Sequence, residues 1–285
     1  MMKKYILYNP LACNGHGEEA AHKLNALMPE QELIYTDVTQ LSDYSEFLSK
    51  LSSDDHIILC GGDGTLNHFI NDTANMDIPN TVLYYPTGSG NDFLRDLGRE
   101  PDTVPFPINQ YLKHLPQVTV NGKTSYFLNG IGYGIDGYCC EVADKQHETS
   151  NKPANYTAIA IKGLLFHYQP TNATITVDGT QHTYQKVWLA PTMNGRYYGG
   201  GMMITPKQDR MHNDTVSVAV MYGSNKLKTL VVFPSIFKGE HVKHTEMVEI
   251  LTGHDITVEF DQPTALQIDG ETVLGVTSYR VQAAK

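Results

Sequence analysis

Short apolar runs alternate with amphipathic segments along the first part of the chain. The β-rich runs are Tyr5–Tyr8, Glu32–Tyr35, His56–Cys60 and Thr81–Tyr85. Between these runs, apolar residues recur at helical spacing, namely Ala20, Leu24, Leu27 and Met28, and then Phe47, Leu48 and Leu51. This alternation of strand and helix predicts a parallel sheet with helices on both faces.

After a charged, proline-rich break at residues 99–107, hairpin patterns replace this alternation. The predicted strands are Val118–Val120, Ser125–Leu128, Ala173–Val177, Thr183–Ala190, Val216–Tyr222, Ile256–Phe260, Thr264–Ile268 and Glu271–Leu274. Asn-Gly or Asp-Gly joins several of them, which is a strong hairpin signal, and a helix is predicted at Tyr156–Tyr168. We therefore expect two domains: an α/β domain over residues 1–118 and a mainly antiparallel β domain over residues 119–274.

Composition narrows the classes of partner. The 285 residues carry a net charge of −10, with a pI of about 5.6, and 41% of them are hydrophobic. An acidic globular protein is a poor partner for nucleic acid, whose phosphates require a basic surface. No apolar run approaches the roughly 18–20 residues that span a bilayer. The four cysteines have no zinc-ligand spacing, so we expect reduced thiols and a cytoplasmic protein, peripheral at most at the inner face of the membrane.

A glycine-rich loop, Gly61–Thr65 (Gly-Gly-Asp-Gly-Thr), follows the third predicted strand and precedes a helix pattern. Glycines bring backbone N–H groups close to a ligand, and a helix N-terminus favours an anion, so this loop suits phosphate. Asp63 would repel phosphate unless it coordinates Mg²⁺ or accepts a proton from an attacking hydroxyl. A tight turn in which Asp63 only caps a helix is the simpler alternative.

Two further loops follow predicted strands and lead into helix patterns. In Pro86–Phe93, Thr87 and Ser89 can donate to phosphate oxygens, Asn91 can bond to backbone or ligand, and Asp92 can cap a helix or join a metal shell. The loop Asn9–Gly17 follows the first strand. Ligands of parallel sheets bind at the carboxyl ends of the strands, so these loops are expected to form one site. None of them is a Walker A or a dinucleotide-binding loop.

The motifs together resemble the diacylglycerol-kinase catalytic family, which includes bacterial lipid kinases and sphingosine kinases. The matching segments, in the family's order, are Asn9-Pro10, Gly61–Asn67, Pro86–Phe93, Asn129–Asp136, Tyr198–Met202 and Ile268–Glu271. NAD kinases and phosphofructokinases share the Gly-Gly-Asp-Gly element. The Pro-Thr-Gly-Ser-Gly-Asn-Asp segment and the late Asp-Gly-Glu are typical of the lipid-kinase branch.

This resemblance implies an N-terminal Rossmann-like α/β domain of the phosphofructokinase and NAD-kinase type and a C-terminal β-sandwich domain for the lipid substrate. It also implies that residues 275–285 return to the first domain. ATP is the implied co-substrate and Mg²⁺ the implied metal, because the negative charge of the phosphates must be neutralised. The implied partners are a lipid at the membrane surface and a second copy of the chain in a homodimer.

The resemblance also implies residue roles. The residues implied to contact the nucleotide are Asn9, Thr36, Gly62, Asp63, Gly64, Thr65, Asn67 and Ser89, to which the loop chemistry adds Asn91. Glu271 matches the general base, with Asp63 and Asp269 in the same catalytic carboxylate group. Asp214 matches a metal-linked position, and Asp92 is the metal candidate of its own loop. A hydroxyl has a pKa far above neutrality, so its attack gains from a carboxylate that accepts the proton.

Some positions depart from the family pattern. His68 stands where the family usually has Glu, and His212-Asn213-Asp214-Thr215 replaces an Asp-Asp-Gly segment.

Taken together, the motifs and the resemblance predict a kinase that transfers the ATP γ-phosphate to a lipid hydroxyl such as that of diacylglycerol. A soluble-substrate kinase of the NAD-kinase type and a nucleotide-binding regulator without catalysis are the alternatives. The basic and apolar stretch Phe233–His244 is compatible with membrane contact, although an ordinary surface segment is the favoured interpretation.

Overall fold

The computed structural model describes residues 2–88, 90–100, 104–149, 156–211 and 214–284. The chain divides into two compact units, Met1–His114 and Leu115–Lys285. None of the helices among the described residues combines the length and the apolarity that a bilayer span requires. All four cysteines are free thiols.

The N-terminal unit contains a five-stranded sheet in the order β2-β1-β3-β4-β5. Its strands are β1 (Lys4–Tyr8), β2 (Leu33–Asp37), β3 (His56–Gly61), β4 (Thr81–Pro86) and β5 (Phe106–Pro107). Its helices are α1 (Ala12–Gly15), α2 (Gly17–His22), α3 (Leu24–Leu27), α4 (Tyr44–Ser49), α5 (Asp63–Asp72), α6 (Asp92–Asp96) and α7 (Asn109–Leu112), with a 3-10 helix at Val38–Gln40. The first four strands pair in parallel and β5 pairs antiparallel with β4, which confirms the predicted parallel sheet.

The centre of this sheet is buried on both faces. In β3 every residue after His56 is buried, which is typical of a parallel strand covered by helices on both sides. On one face, Ile6 and Ile58 pack in the same cluster as Ala21 and Leu24. The predicted apolar helix face is confirmed for Leu24 but not for Leu27, which is 47% exposed after the helix breaks into α2 and α3.

The C-terminal unit is mainly antiparallel β, as predicted. Its strands are β6 (Gln117–Val120), β7 (Lys123–Tyr126), β8 (Gly130–Tyr133), β9 (Thr171–Val177), β10 (Thr180–Val187), β11 (Thr192–Met193), β12 (Tyr197–Tyr198), β13 (Met202–Met203), β14 (Val216–Met221), β15 (Val248–Gly253), β16 (Asp255–Ile268) and β17 (Glu271–Gln282). Ten of them form one sheet in the order β15-β14-β11-β8-β16-β17-β6-β7, with β9 paired to β16 and β10 to β9. Strands β12 and β13 form a separate pair.

The described part of this unit contains the α-helices α8 (Ile135–Thr149), α9 (Tyr156–Lys162) and α10 (Lys226–Val232). A π-helix at Gly163–His167 follows α9, and 3-10 helices at Phe233–Lys238 and Glu240–Lys243 follow α10. The helix predicted at Tyr156–Tyr168 is therefore present. The sequence pattern does not locate helix α8, because glycines and a short strand precede it and obscure the helical period.

The end of the chain corrects two expectations about the domains. Strand β17 pairs with β16 along most of its length, and its end pairs with β6, where Arg280 lies opposite Thr119. Residues 275–282 therefore belong to the C-terminal unit, contrary to the expectation that assigned them to the first domain. A boundary at residue 118 would cut β6, whereas the observed boundary, between His114 and Leu115, leaves that strand whole. Backbone pairing, which no local pattern reveals, decides both points.

Candidate active site

Two glycine-rich loops of the N-terminal unit touch at the carboxyl end of the sheet. The carbonyl of Gly61, at the end of β3, accepts hydrogen bonds from the N–H groups of Thr87 at 2.8 Å and Gly88 at 3.2 Å, which follow β4. A Cβ built on Gly88 would lie 2.5 Å from the Cα of Gly62, so the two loops pack backbone against backbone. Only glycine permits this approach at position 88. The predicted convergence of these loops is thus present in the fold.

The loop after β1 reaches the same place. Asn9 accepts a hydrogen bond from the N–H of Leu11 at 2.9 Å, which shapes the turn into α1. The thiol of Cys13 donates to the carbonyl of Thr87 at 2.9 Å. Neighbouring strands place these loops side by side, because β3 lies between β1 and β4. Cys13 is a loop-to-loop contact that no sequence motif indicated.

Asp63 is the first residue of α5, and its carboxylate joins the first loop to the second. Its Oδ2 accepts the N–H of Asp92 at 2.7 Å and its Oδ1 accepts the N–H of Phe93 at 3.0 Å. Asp63 therefore caps α6, a different helix from the one that it begins. Each carboxylate oxygen has a second lone pair, so these bonds leave capacity for a cation.

Asn91 holds the second loop in shape. It adopts a left-handed conformation with φ of 47°, which asparagine tolerates better than most residues. Its side chain donates to the carbonyl of Gly88 at 2.6 Å and accepts from the hydroxyl of Tyr84 at 3.3 Å. Both the nitrogen and the oxygen of this buried amide therefore bond within the protein and hold the loop in shape. The predicted contact of Asn91 with the nucleotide stays a prediction.

The other predicted nucleotide residues occupy varied positions. Thr36 lies in β2, one residue before the strand ends and opposite Leu7, so β1 separates it from β3. Asn67 is buried in α5, where its side-chain oxygen accepts from Asn71 at 3.3 Å. A Cβ on Gly64 would meet nothing within 4 Å, so the exposed face of the loop is open there. Ser89 lies outside the described residues.

The late Asp-Gly-Glu segment forms the hairpin between β16 and β17. The carboxylate of Asp269 accepts three backbone N–H groups, from Leu128, from Asn129 at 2.8 Å and from Gly130 at 3.0 Å. These bonds anchor the turn to the segment that leads into β8. Asp269 is therefore a positioning residue by its geometry, and its membership of the catalytic carboxylate group stays a prediction.

Glu271 directly follows the turn of this hairpin. The N–H of Gly270 donates to the side chain of Gln267 at 2.7 Å, and Gly270 has φ of +101°, which glycine adopts readily. Glu271 begins β17 opposite Ile268, and its side chain is exposed. The turn thus presents one carboxylate to solvent on a braced backbone.

Some residues that support this hairpin belong to none of the sequence motifs. Arg210 donates from Nη1 to the carbonyl of Leu128 and from Nη2 to Oδ1 of Asn129, both at 3.0 Å. Asn194 donates to the same Leu128 carbonyl at 2.9 Å, and Gln267 receives the bond from Gly270. Arg210 and Asn194 are remote in sequence from the turn, so only the fold reveals their role.

The two metal candidates lie in different units. Asp92, in the N-terminal unit, is buried, and its Oδ1 lies 4.0 Å from Nε of Arg95. Asp214 is exposed just before β14 in the C-terminal unit, and its neighbours His212 and Asn213 lie outside the described residues. Within the described ranges, no cluster of three or more His, Cys, Asp and Glu side chains has the arrangement of a metal site. Both metal assignments stay predictions.

A buried carboxyl group lies under the glycine-rich strand β8. Asp136 is the second residue of α8 and is 9% exposed. Its Oδ2 accepts a hydrogen bond from the hydroxyl of Tyr198 at 2.8 Å. Burial raises its pKa to about 6, although the Tyr198 bond and the N–H of Gly137 act in the opposite direction. A Cβ on Gly132 would lie 2.0 Å from Asp136 Oδ2 and 2.6 Å from Gln267 Nε2, so this carboxyl lies beside the residue that braces the hairpin.

Comparison with known proteins identifies relatives of both units. The diacylglycerol kinase catalytic domain matches residues 3–120, and the YegS C-terminal NAD kinase beta sandwich-like domain matches residues 129–284. Diacylglycerol kinases of Mycobacterium tuberculosis and Bacillus subtilis are 26% and 25% identical to the chain; the matches cover 92% and 95% of this chain and 85% and 90% of those proteins.

A solved structure of a diacylglycerol kinase from Bacillus anthracis has the same fold. It superposes with a TM-score of 0.62 at 23% identity, covering 99% of this chain and 94% of that one. The predicted fold class, an α/β unit followed by a β-sandwich unit, is confirmed. The family models together span nearly the whole chain, which therefore belongs to the diacylglycerol kinase catalytic-domain family and is a phosphotransferase of the kinase class.

Proposed function

We propose that the protein is a lipid kinase that transfers the γ-phosphate of ATP to a lipid hydroxyl, with diacylglycerol as the acceptor. Family membership supports ATP as the co-substrate, and the relatives named diacylglycerol kinases support the acceptor. The observation that carries the proposal is the contact between the loops after β3 and β4, with Asp63 bonded across it. A phosphate-handling loop and a carboxylate then lie at one edge of the sheet.

The nucleotide phosphates would approach the N-terminus of α5. This helix has ten residues, and the N–H groups of its first turn have no partner inside the helix. Gly64 is exposed there and leaves space for an anion to approach the backbone. Backbone N–H groups and the helix dipole together favour phosphate.

The donor set near this loop fits Mg²⁺. Carboxylate oxygens are the hard ligands that Mg²⁺ prefers, and it is usually held by one or two carboxylates together with water and phosphates. Oδ2 of Asp63 accepts the backbone N–H of Asp92, which brings these two residues together, and the Asp63 carboxylate keeps lone pairs for a cation. Bound Mg²⁺ would neutralise the charge that develops on the phosphates.

Glu271 would accept the proton of the attacking hydroxyl. Its exposed carboxylate stands on a turn that Asp269 and Gln267 hold in place, so its position costs little reorganisation. As the oxygen of the lipid attacks the γ-phosphorus, its proton passes to Glu271 and the bond to the β-phosphate oxygen breaks, releasing ADP.

Incubation of the protein with γ-labelled ATP, Mg²⁺ and diacylglycerol in mixed micelles tests the proposal. We expect labelled phosphatidic acid from the wild-type protein and a loss of about 10²-fold or more in the Glu271→Gln variant. Phosphorylation of NAD without lipid would instead support a soluble-substrate kinase. Binding of ATP without transfer to any lipid in a panel would support a nucleotide-binding regulator.

A further inference from the structure

Exposed apolar side chains concentrate in one region of the C-terminal unit. Among the described residues, eleven large hydrophobic side chains are exposed, and five of them lie in α9, α10 and the turns that follow these helices. They are Ile161 (43% exposed), Phe166 (68%), Leu227 (74%), Val231 (73%) and Phe237 (40%). Single exposed apolar residues are ordinary on a protein surface, whereas a group of them marks an interaction site.

Helix α10 brings the most exposed of these residues together. Leu227 and Val231 are four positions apart and therefore lie on one helical face, while Thr229 and Val232 are buried on the other. The helix packs against the π-helix that carries Phe166 and continues into the 3-10 helix that carries Phe237. We name this surface the α10 face, defined by Phe166, Leu227, Val231 and Phe237.

The charge around the α10 face is opposite to that of the whole protein. The segments 159–168 and 223–246 contain five lysines, Lys162, Lys226, Lys228, Lys238 and Lys243, against the two glutamates Glu240 and Glu246. Their formal charge is therefore +3, whereas the chain carries −10. The two glutamates pair with Lys243 at 2.9 Å and with Lys228 at 2.8 Å. Exposed apolar residues in segments with a net positive charge are complementary to a surface that is negative outside and apolar inside.

We propose that the α10 face docks the protein on an anionic lipid bilayer, an inference that rests on the proposed lipid-kinase function. Leu227, Val231 and Phe166 would enter the boundary between headgroups and acyl chains, and the lysines would lie at the level of the negative headgroups. Phe233 and Ile236 belong to the stretch Phe233–His244, whose sequence is compatible with membrane contact, but both are buried in the core and take no part. The surface lies on α10 and the π-helix more than on residues 233–244.

Sedimentation with lipid vesicles, without ATP or diacylglycerol, tests this docking directly. We expect the wild-type protein to bind vesicles of phosphatidylcholine with phosphatidylglycerol, to bind pure phosphatidylcholine more weakly, and to dissociate as salt is added. The double variant Leu227→Ser/Val231→Ser should bind about tenfold more weakly. The variant Lys238→Glu should also bind more weakly, and its loss should diminish at high salt.

Matched controls come from exposed residues of the N-terminal unit. Val104 is 64% exposed, and Lys113 is also exposed, so Val104→Ser and Lys113→Glu change similar groups outside the α10 face. These variants should bind vesicles as the wild type does. Equal vesicle binding by the double variant and the wild type would overturn the proposal. Equal binding of the wild type to vesicles with and without phosphatidylglycerol would also overturn it.

Two further outcomes separate this proposal from its alternatives. If the α10 face instead joined two copies of the chain, the double variant would change the mass in light scattering and leave vesicle binding unchanged, which would contradict docking. Phosphorylation of a short-chain, water-soluble diacylglycerol should be equal in the wild type and the double variant. Absence of that activity in the wild type would contradict the proposed function, while vesicle binding alone decides the docking surface.

Discussion

The carboxylate of Asp63 holds the backbone N–H of Asp92 at 2.7 Å, across a separation of 29 residues in the chain. A second bond, to Phe93, makes this carboxylate the cap of α6. The residue proposed to act on a metal or a proton therefore also fixes the geometry of the neighbouring loop. Loss of activity on changing Asp63 therefore has two separable causes, the loss of the carboxylate chemistry and the loss of the cap on α6.

We expect Asp63→Ala to abolish phosphoryl transfer and to lower the free energy of unfolding by roughly 1–2 kcal/mol, because two backbone N–H groups lose their acceptors. Asp63→Asn keeps one acceptor oxygen and should be less destabilised yet equally inactive. Thermal unfolding and ATP turnover measured on both variants check this. The control is Asp43→Ala, which removes the cap of α4, where Asp43 accepts the N–H of Ser45 at 2.7 Å. Full activity in Asp63→Asn would contradict a chemical role for the carboxylate.

Gly88 and Gly64 should respond to alanine in opposite ways. At Gly88 the new Cβ would lie 2.5 Å from Gly62 Cα, so the two loops must separate, and we expect a loss of roughly 1–3 kcal/mol in stability together with weaker ATP binding. At Gly64 the Cβ is unhindered and lies in a helix, so stability should rise by up to about 1 kcal/mol. Calorimetric ATP titration and thermal unfolding measure both effects. Equal unfolding curves for wild type and Gly88→Ala would contradict the close backbone contact.

Substitutions of the two carboxylates in the hairpin, Asp269 and Glu271, should have different effects. Asp269→Ala should destabilise the C-terminal unit by roughly 2–3 kcal/mol, because three backbone N–H groups lose a charged acceptor. Glu271→Gln changes an exposed side chain and should leave the unfolding temperature unchanged while lowering kcat about 10²-fold or more. Glu259→Gln, on the exposed side of β16, is the control for charge removal. A large loss of stability in Glu271→Gln would show that this residue is structural.

Asp136 makes stability depend on pH in a defined direction. Its pKa is about 6 in the folded protein, against an ordinary value of 3.8. Between these values the folded state holds the proton more tightly than the unfolded chain, so this group stabilises the fold at low pH. The contribution is lost as the pH rises from about 4 through about 6 and does not return above it.

The variant Asp136→Asn removes that titration and keeps an oxygen for the Tyr198 hydroxyl. We expect it to match the wild type near pH 4 and to exceed it near pH 7 by on the order of 2–3 kcal/mol. Denaturant unfolding of both proteins at several pH values measures the difference. A stability difference that stays constant between the two pH values would contradict the buried, proton-binding carboxyl.

Local patterns in the sequence were enough to predict much of the fold. Apolar runs located the four parallel strands to within one or two residues, because a strand buried on both faces is a continuous apolar segment. Asn121-Gly122, Asp178-Gly179 and Asp269-Gly270 located three hairpins, since a two-residue turn requires positive φ. Helix α8 and the full length of β17 were missed, because one has a mixed pattern and the other depends on pairing with distant strands.

By itself, the sequence determined the loops, the order of the motifs and the residue types that can handle phosphate. Tertiary structure alone decided what several of those residues do, because their hydrogen-bond partners are distant in the chain. Asp269 receives three N–H groups that lie 139 to 141 residues before it, and Asn91 turns inward to brace its own loop. The α10 face was likewise decided by the fold: burial removed Phe233 and Ile236 from the surface and left Leu227 and Val231 exposed. A charge or an apolar residue is visible in the sequence, but its exposure and its partner exist only once the chain has packed.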